Sequence, residues 1–291
     1  MKNIRLAASI VVLVLTALVF AHYIRTNPEV MTQLKNTKLI YVAMVMLLYL
    51  GVIFSLTIVN TISVRLCGKD IAKRESFNLT STSSIANFFG PLQSGVGIRA
   101  IYFRSKLSIP IKQYGLVSLY YYGFYAFFSG VFLLFGSAQF RLPLFTALLV
   151  GASGTFVYIR KKTKSSSSGK LSVSVKLLSK LAVVVLLQLT LITLIYFVQL
   201  TALDQHVSFG QVISYSGAAN FSLFVAITPG AIGIREAFLV FSERLHHIPH
   251  DAVIAANILD RGIYVVFLGL LFLWLIATHT QVKIKQRRAS K

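Results

Sequence analysis

Long apolar runs separated by short polar stretches dominate this chain. A bilayer span needs about 20 apolar residues, and runs near that length lie at 6–23, 39–62, 115–136, 142–159, 181–203 and 252–278. Two other stretches interrupt the pattern. Residues 78–97 open on Thr80-Ser81-Thr82-Ser83-Ser84 and carry Gly90, Pro91, Gly95 and Gly97. Residues 211–227 and 232–245 flank a break at Pro229-Gly230. Proline lacks an amide donor and glycine loses the most backbone entropy on ordering, so both interrupt helices. The pattern predicts an all-α polytopic membrane protein with about six transmembrane helices and two re-entrant helical hairpins. The Ser/Thr run is expected to cap the first helix of the first hairpin.

The two interrupted stretches read as copies. The first runs Ala86-Asn87-Phe88-Phe89-Gly90-Pro91 and on through Gly95-Val96-Gly97-Ile98-Arg99. The second has Ala219-Asn220-Phe221, then Thr228-Pro229-Gly230-Ala231-Ile232-Gly233-Ile234-Arg235-Glu236-Ala237. Arg99 and Arg235 are 136 residues apart. Matched breaks in the two halves of a chain are the sequence mark of a midplane site in inverted-repeat transporters. The reading is one transmembrane domain over 1–291, with 39–136 as the first inverted repeat and 181–278 as the second. A basic, Ser-rich linker at 160–180 lies before the second repeat and reads as flexible and solvated.

Composition agrees. Hydrophobic residues are 56% of the chain and charged residues 13%, against about 25% charged in soluble domains. Lys and Arg number 29 against 8 Asp and Glu. A basic balance alone would suit nucleic acid, but these residues sit in short loops between apolar runs, which is the positive-inside pattern. With the N-terminus inside, 22 basic residues face the cytoplasm and 4 face out, while Arg235, Arg244 and Arg261 fall within the second hairpin or the last span. The expectation is a multi-pass protein of a bacterial inner membrane, both termini cytoplasmic, its hairpins entering from opposite faces. Lys2 and Arg5 precede the first run, which reads as a retained helix and not a cleaved signal. Cys67 is the only cysteine, so no intrachain disulfide forms.

Candidate chemistry gathers at the two breaks. Gly95, Gly97, Gly230 and Gly233 permit close backbone approach. Freed amides at a half-helix end attract anions, and Arg99 and Arg235 add planar forks of donors that match a phosphate. Arg99 has a second reading as a snorkelling interfacial residue. Arg235 adjoins Glu236, and Asp260-Arg261 lies inside the last span. Charges in the bilayer are costly and are usually functional or paired, so these four are expected to form one cluster. Asn87 and Asn220 occupy matched positions, as helix caps or as headgroup ligands. The aromatic stripe at 120–128 reads as packing or interfacial belt. His246, His247 and His250 lack an acidic set at zinc-like spacing, and no metal or other cofactor is expected. No nucleophile elbow, His-Glu-x-x-His or P-loop is found, so no enzyme is predicted.

At these residues the sequence resembles the lysylphosphatidylglycerol synthetase transmembrane-region family, also called flippase-like domain proteins. The first match is 87–99, with its Asn, Pro, Gly and Arg. The second is 228–237, similar to the family's Pro-Gly-Gly-x-Gly-x-Arg-Glu with Ala231 in place of a glycine. Asp260-Arg261 resembles a late intramembrane position that is often Tyr-Arg. Gln93-Ser94 departs from the more usual Gly-Lys or Gly-Arg. The chain ends at Lys291 without an aminoacyl-transferase domain, so synthesis of an aminoacyl lipid is not expected. The resemblance implies movement of a lipid headgroup across the bilayer.

The leading expectation is therefore a flippase-like protein that binds or translocates a phosphate-bearing lipid of phospholipid or polyprenyl-phosphate type. Its expected partners are anionic membrane lipids, with a second copy of the chain or lipid-biosynthesis enzymes beside them, and no nucleic acid. Its site is drawn from Asn87, Pro91, Gly95, Gly97, Arg99, Asn220, Pro229, Gly230, Gly233, Arg235, Glu236, Asp260 and Arg261. The rivals are an ion-coupled secondary transporter of a small solute, using Glu236 or Asp260, and a non-transporting partner in envelope-lipid biosynthesis.

Overall fold

A computed structural model describes residues 36–89, 94–135, 174–203, 205–223 and 234–289, together with Arg25, Thr26, Pro28 and Thr146. Its elements are all helices. In chain order they are α1 (Leu39–Leu66), α2 (Lys73–Phe89), α3 (Ser94–Leu107), α4 (Ile111–Leu134), α5 (Val175–Ala202), α6 (Phe209–Ser222), α7 (Ile234–Phe241), α8 (Glu243–His246) and α9 (His250–Ala289). Among the described residues α1, α4, α5 and the Ala252–Thr278 stretch of α9 are long and apolar enough to cross a membrane. They coincide with four of the six predicted runs. The run at 6–23, all of 142–159 but Thr146, and most of the linker at 160–180 lie outside the described residues. The other helices have 17 residues or fewer, short of the roughly 20 a span requires.

Local chemistry sets several helix ends. After α1 the amides of Cys67, Gly68 and Lys69 return to the carbonyls of Ser63, Arg65 and Val64, and Gly68 turns the chain at φ 71°. That left-handed conformation favours a residue without a Cβ. Helix α6 opens on a capping box: the Gln211 amide donates to Ser208 Oγ, and the Ser208 amide donates to Gln211 Oε1. It therefore begins at Phe209, two residues before the apolar run does.

The Ser/Thr run does not cap α2. The helix starts at Lys73, so residues 80–84 lie in its interior, where Thr80, Ser81, Ser83 and Ser84 are buried. The reason is pairing between helices. Asn60 of α1 donates to Thr80 Oγ1 at 2.7 Å, and Ser76 Oγ donates to the Thr57 carbonyl at 3.1 Å. The Thr80 hydroxyl in turn donates to its own helix at Ser76. Hydroxyls that back-bond in this way keep a polar helix inside an apolar surrounding. A second difference concerns the chain end: α9 runs on past residue 278 to Ala289.

The packing has a regular exchange. Helices α1 and α5 lie against each other, α4 packs on α6, and α9 packs on α2. Helix α2 pairs with α3 as α6 pairs with α7, and α3 meets α4 as α7 meets α9. The core follows these pairings. Val59, Phe103, Val117, Leu181 and Val185 form one buried cluster; Leu200, Tyr215, Leu239 and Val253 form another. Val45, Ile195, Leu259 and Ile263 join α1, α5 and α9. Helices α4 and α6 touch at backbone distance, because a Cβ on Gly217 would stand 2.1 Å from the Leu133 nitrogen.

Candidate functional site

The helices line a cavity of about 290 Å³ to which nearly every element contributes. It collects six of the residues singled out above: Asn87 of α2, Arg99 of α3, Asn220 of α6, Arg235 of α7, and Asp260 and Arg261 of α9. The short helices carry four of these into the protein, and α9 supplies the other two from the middle of its apolar stretch. The two halves of the chain thus contribute to one site.

Arg99 is buried, not snorkelling at an interface. Its Nη1 donates to Asn60 Oδ1 at 3.1 Å and its Nε to the Gly95 carbonyl at 3.3 Å. Tyr122 is a further hydrogen-bond partner. These groups are neutral, and no carboxylate among the described residues pairs with Arg99. These described partners bring no negative charge to the guanidinium, in a setting where Coulomb forces are weakly screened.

Arg235 stands differently. Its Nη2 donates to Asp260 Oδ2 at 3.0 Å and to the Tyr196 hydroxyl at 2.8 Å, and the guanidinium carbon lies 5.4 Å from the centre of the Tyr196 ring. Asp260 Oδ1 accepts from Gln199 Nε2 at 2.7 Å and from the Tyr49 hydroxyl. Both carboxylate oxygens are thus occupied. The ion pair is nearly closed to solvent, with side chains 12% and 7% exposed, and a buried pair persists only when further hydrogen bonds satisfy it. Arg235 and Asp260 meet as their sequence setting predicted.

The asparagines act as clamps within the frame. Asn87 Oδ1 accepts the Gly95 amide at 2.8 Å, so the start of α3 is capped by a side chain and that amide is not free. Gly95 is needed there, because a Cβ would lie 2.2 Å from the Ser83 carbonyl and 2.7 Å from Asn87 Oδ1. Asn220 accepts from the Tyr125 hydroxyl and donates to the Ser216 carbonyl at 2.8 Å. Gly97 is not brought to the cavity: it is exposed on α3, with open space where its Cβ would be. Pro91, Pro229, Gly230 and Gly233 lie outside the described residues, as does the side chain of Glu236.

Sequence reasoning missed the tyrosines. Tyr49, Tyr121, Tyr122, Tyr125, Tyr196 and Tyr264 all line the cavity, so part of the aromatic stripe of α4 is site wall and not only packing. Gln188 and Tyr121 exchange hydrogen bonds at 3.3–3.4 Å within the same wall. The signal was present: Asn60, Gln188 and Gln199 are amides inside apolar runs, where each needs a polar partner. His246 is held by structural hydrogen bonds. His246 Nδ1 accepts the Ile248 amide at 3.1 Å, and Nε2 faces the Leu239 carbonyl at 2.9 Å. Burial lowers the His246 pKa from its ordinary 6.5, against the pull of that carbonyl and Glu243. At the far end of α3, Tyr102 hydrogen-bonds Glu75, and partial burial together with that carboxylate pushes its pKa up to about 12.

Comparison with known proteins adds one finding. Residues 4–271 match the model of a family described as the lysylphosphatidylglycerol synthase TM region. No curated protein matches the chain.

Proposed function

The chain belongs to the lysylphosphatidylglycerol synthase TM region family, and we propose that it takes a phosphate-bearing lipid headgroup into the central cavity and carries it across the bilayer. The observation that carries this reading is Arg99, a buried guanidinium at a largely apolar cavity, whose partners among the described residues are neutral. A headgroup phosphate must shed water to cross, and a planar fork of donors replaces part of that hydration. The cavity is small, at the low end of the roughly 300–1,000 Å³ of ligand sites, which suits a headgroup whose acyl chains stay in lipid.

Movement in this reading comes from two inverted repeats, 39–136 and 181–278, rocking about the shared site. Their support is the exchange of packing partners between the halves, α4 on α6 as α9 on α2. The short helices α2–α3 and α6–α7 serve as re-entrant hairpins from opposite faces, both termini lie in the cytoplasm, and the membrane is the bacterial inner membrane. The charge bias supports that orientation, with 22 less the buried Arg99 against 4.

The test is headgroup accessibility of a labelled phospholipid in proteoliposomes. Arg99→Ala and Arg235→Ala should each slow translocation at least about tenfold, the loss of 1.4 kcal/mol of headgroup binding. Arg99→Lys should recover part of it, since a point charge lacks the fork. Wild-type rates in both alanine variants would remove the anion site. A loss confined to Asp260→Asn, and dependent on a proton gradient, would favour an ion-coupled transporter.

A further inference from the structure

The charge balance of the cavity says which headgroup it is built for, given the lipid reading above. We infer that the site selects a headgroup of net negative charge, with its phosphate at Arg99, and rejects headgroups whose phosphate is offset by an amine.

Three guanidinium groups, of Arg99, Arg235 and Arg261, line the cavity against one carboxylate, of Asp260. The adjoining stretches outside the described residues do not alter this, because 90–93 and 224–233 contain no Asp, Glu, Lys or Arg. Counting Glu236 as well still leaves the cations in excess. An amine entering such a site loses its hydration beside like charge, and repulsion is strong where screening is weak. Nor do the described residues of the wall offer a free acid to receive it. Asp260 is the only described carboxylate on the wall, and its oxygens already accept from Arg235, Gln199 and Tyr49.

The donors left over tell the same story. A guanidinium has five N–H donors, and the neutral partners of Arg99 leave some of them for a ligand. Two more polar atoms of the cavity-lining residues, Arg235 Nε and Ser83 Oγ, are buried with no partner among the described residues. Buried polar atoms are ordinarily paired. The remaining N–H groups of Arg99, beside surplus positive charge, suit an acceptor-rich anion such as a phosphate monoester or diester. The family's descriptor names a lipid that carries a lysyl amine. On this reading the present cavity departs from that headgroup and takes one without the amine.

The experiment uses the full chain in nanodiscs and measures, by native mass spectrometry, retention of phosphatidylglycerol, phosphatidylethanolamine and lysylphosphatidylglycerol, with soluble glycerol 3-phosphate alongside. Wild-type protein should retain phosphatidylglycerol at least about tenfold better than the lysyl lipid, the ratio equivalent to 1.4 kcal/mol. Phosphatidylethanolamine should fall between them. Arg99→Gln should narrow the ratio, and Arg99→Lys should preserve most of it. Equal retention of all three lipids by the wild type would overturn the inference while leaving lipid binding intact. Retention of none would remove the lipid reading on which it rests. Glycerol 3-phosphate held as tightly as phosphatidylglycerol would assign the site to a free anion instead. The wild-type ratio stands even if the Arg99→Gln protein does not fold.

Discussion

Arg99 and Arg235 each reach back 39 residues for a partner: Arg99 to Asn60 at 3.1 Å, and Arg235 to Tyr196 at 2.8 Å. Asn60 lies on α1 and Tyr196 on α5, the two long helices that pack together at the centre. The equal spacing places the two arginines in corresponding positions of the two halves. Their second partners differ. Arg235 also meets Asp260, whereas Arg99 has its own helix carbonyl at Gly95. One half therefore holds its guanidinium neutralised, and the other holds it charged.

That difference predicts unequal costs of substitution. Asp260→Asn strands the buried Arg235 guanidinium and should destabilise the folded protein by about 3–5 kcal/mol, the range for removing one partner of a buried pair. The double variant Asp260→Asn with Arg235→Gln should regain much of the loss, since neither charge is then left alone. Thermal unfolding in detergent reads both. Additive losses would show that the two side chains do not stabilise one another.

The glycines of α3 and α6 should separate by their surroundings. A Cβ at Gly95 or Gly217 meets backbone atoms at 2.2 and 2.1 Å, so Gly95→Ala and Gly217→Ala should each cost about 1–3 kcal/mol by overpacking. Gly97→Ala meets open space inside a helix and should stabilise by roughly 0.5–1 kcal/mol through backbone entropy. The same melting experiment ranks them, and an intolerant Gly97 alongside a tolerant Gly95 would contradict the packing.

His246 gives the fold a dependence on pH. Its folded-state pKa lies below the ordinary 6.5, so the unfolded chain binds the proton more readily. Its contribution is fully present above about 6.5 and is lost as the pH falls through the lower folded value. Protonation at Nδ1 would also break the bond from the Ile248 amide. Unfolding temperature should therefore drop between pH 7.5 and pH 5.5, in conditions chosen as about one unit either side of the free value. His246→Gln should flatten that slope, whereas His247→Gln, at an exposed neighbour, should leave it. A slope unchanged by His246→Gln would assign the effect to other groups.

Topology is open to labelling. On a Cys67→Ser background, a Ser167→Cys probe in the basic linker should react with an impermeant maleimide only after the cells are permeabilised. Reaction in intact cells would reverse the orientation drawn from the charge bias.

By itself the sequence determined the class of protein and much of its wiring. Apolar runs of bilayer length leave no alternative to helices in lipid, because every backbone polar group must be satisfied within the segment. The repeated Asn and Gly-Ile-Arg motifs marked Asn87, Arg99, Asn220 and Arg235, and the cost of buried charge linked Arg235 to Asp260 before any coordinates. The partners of Arg99 and the tyrosine wall were decided only by the tertiary structure. Asn60 and Tyr196 sit in apolar runs whose periodicity says nothing about which side chain will face which across 39 residues. The Ser/Thr run shows the same limit. Its composition fits a cap as well as a buried helix interior, and the choice fell to Asn60, which gives Thr80 a hydrogen bond from the neighbouring helix. Local pattern specifies which groups need partners in a membrane. Only packing specifies who the partners are.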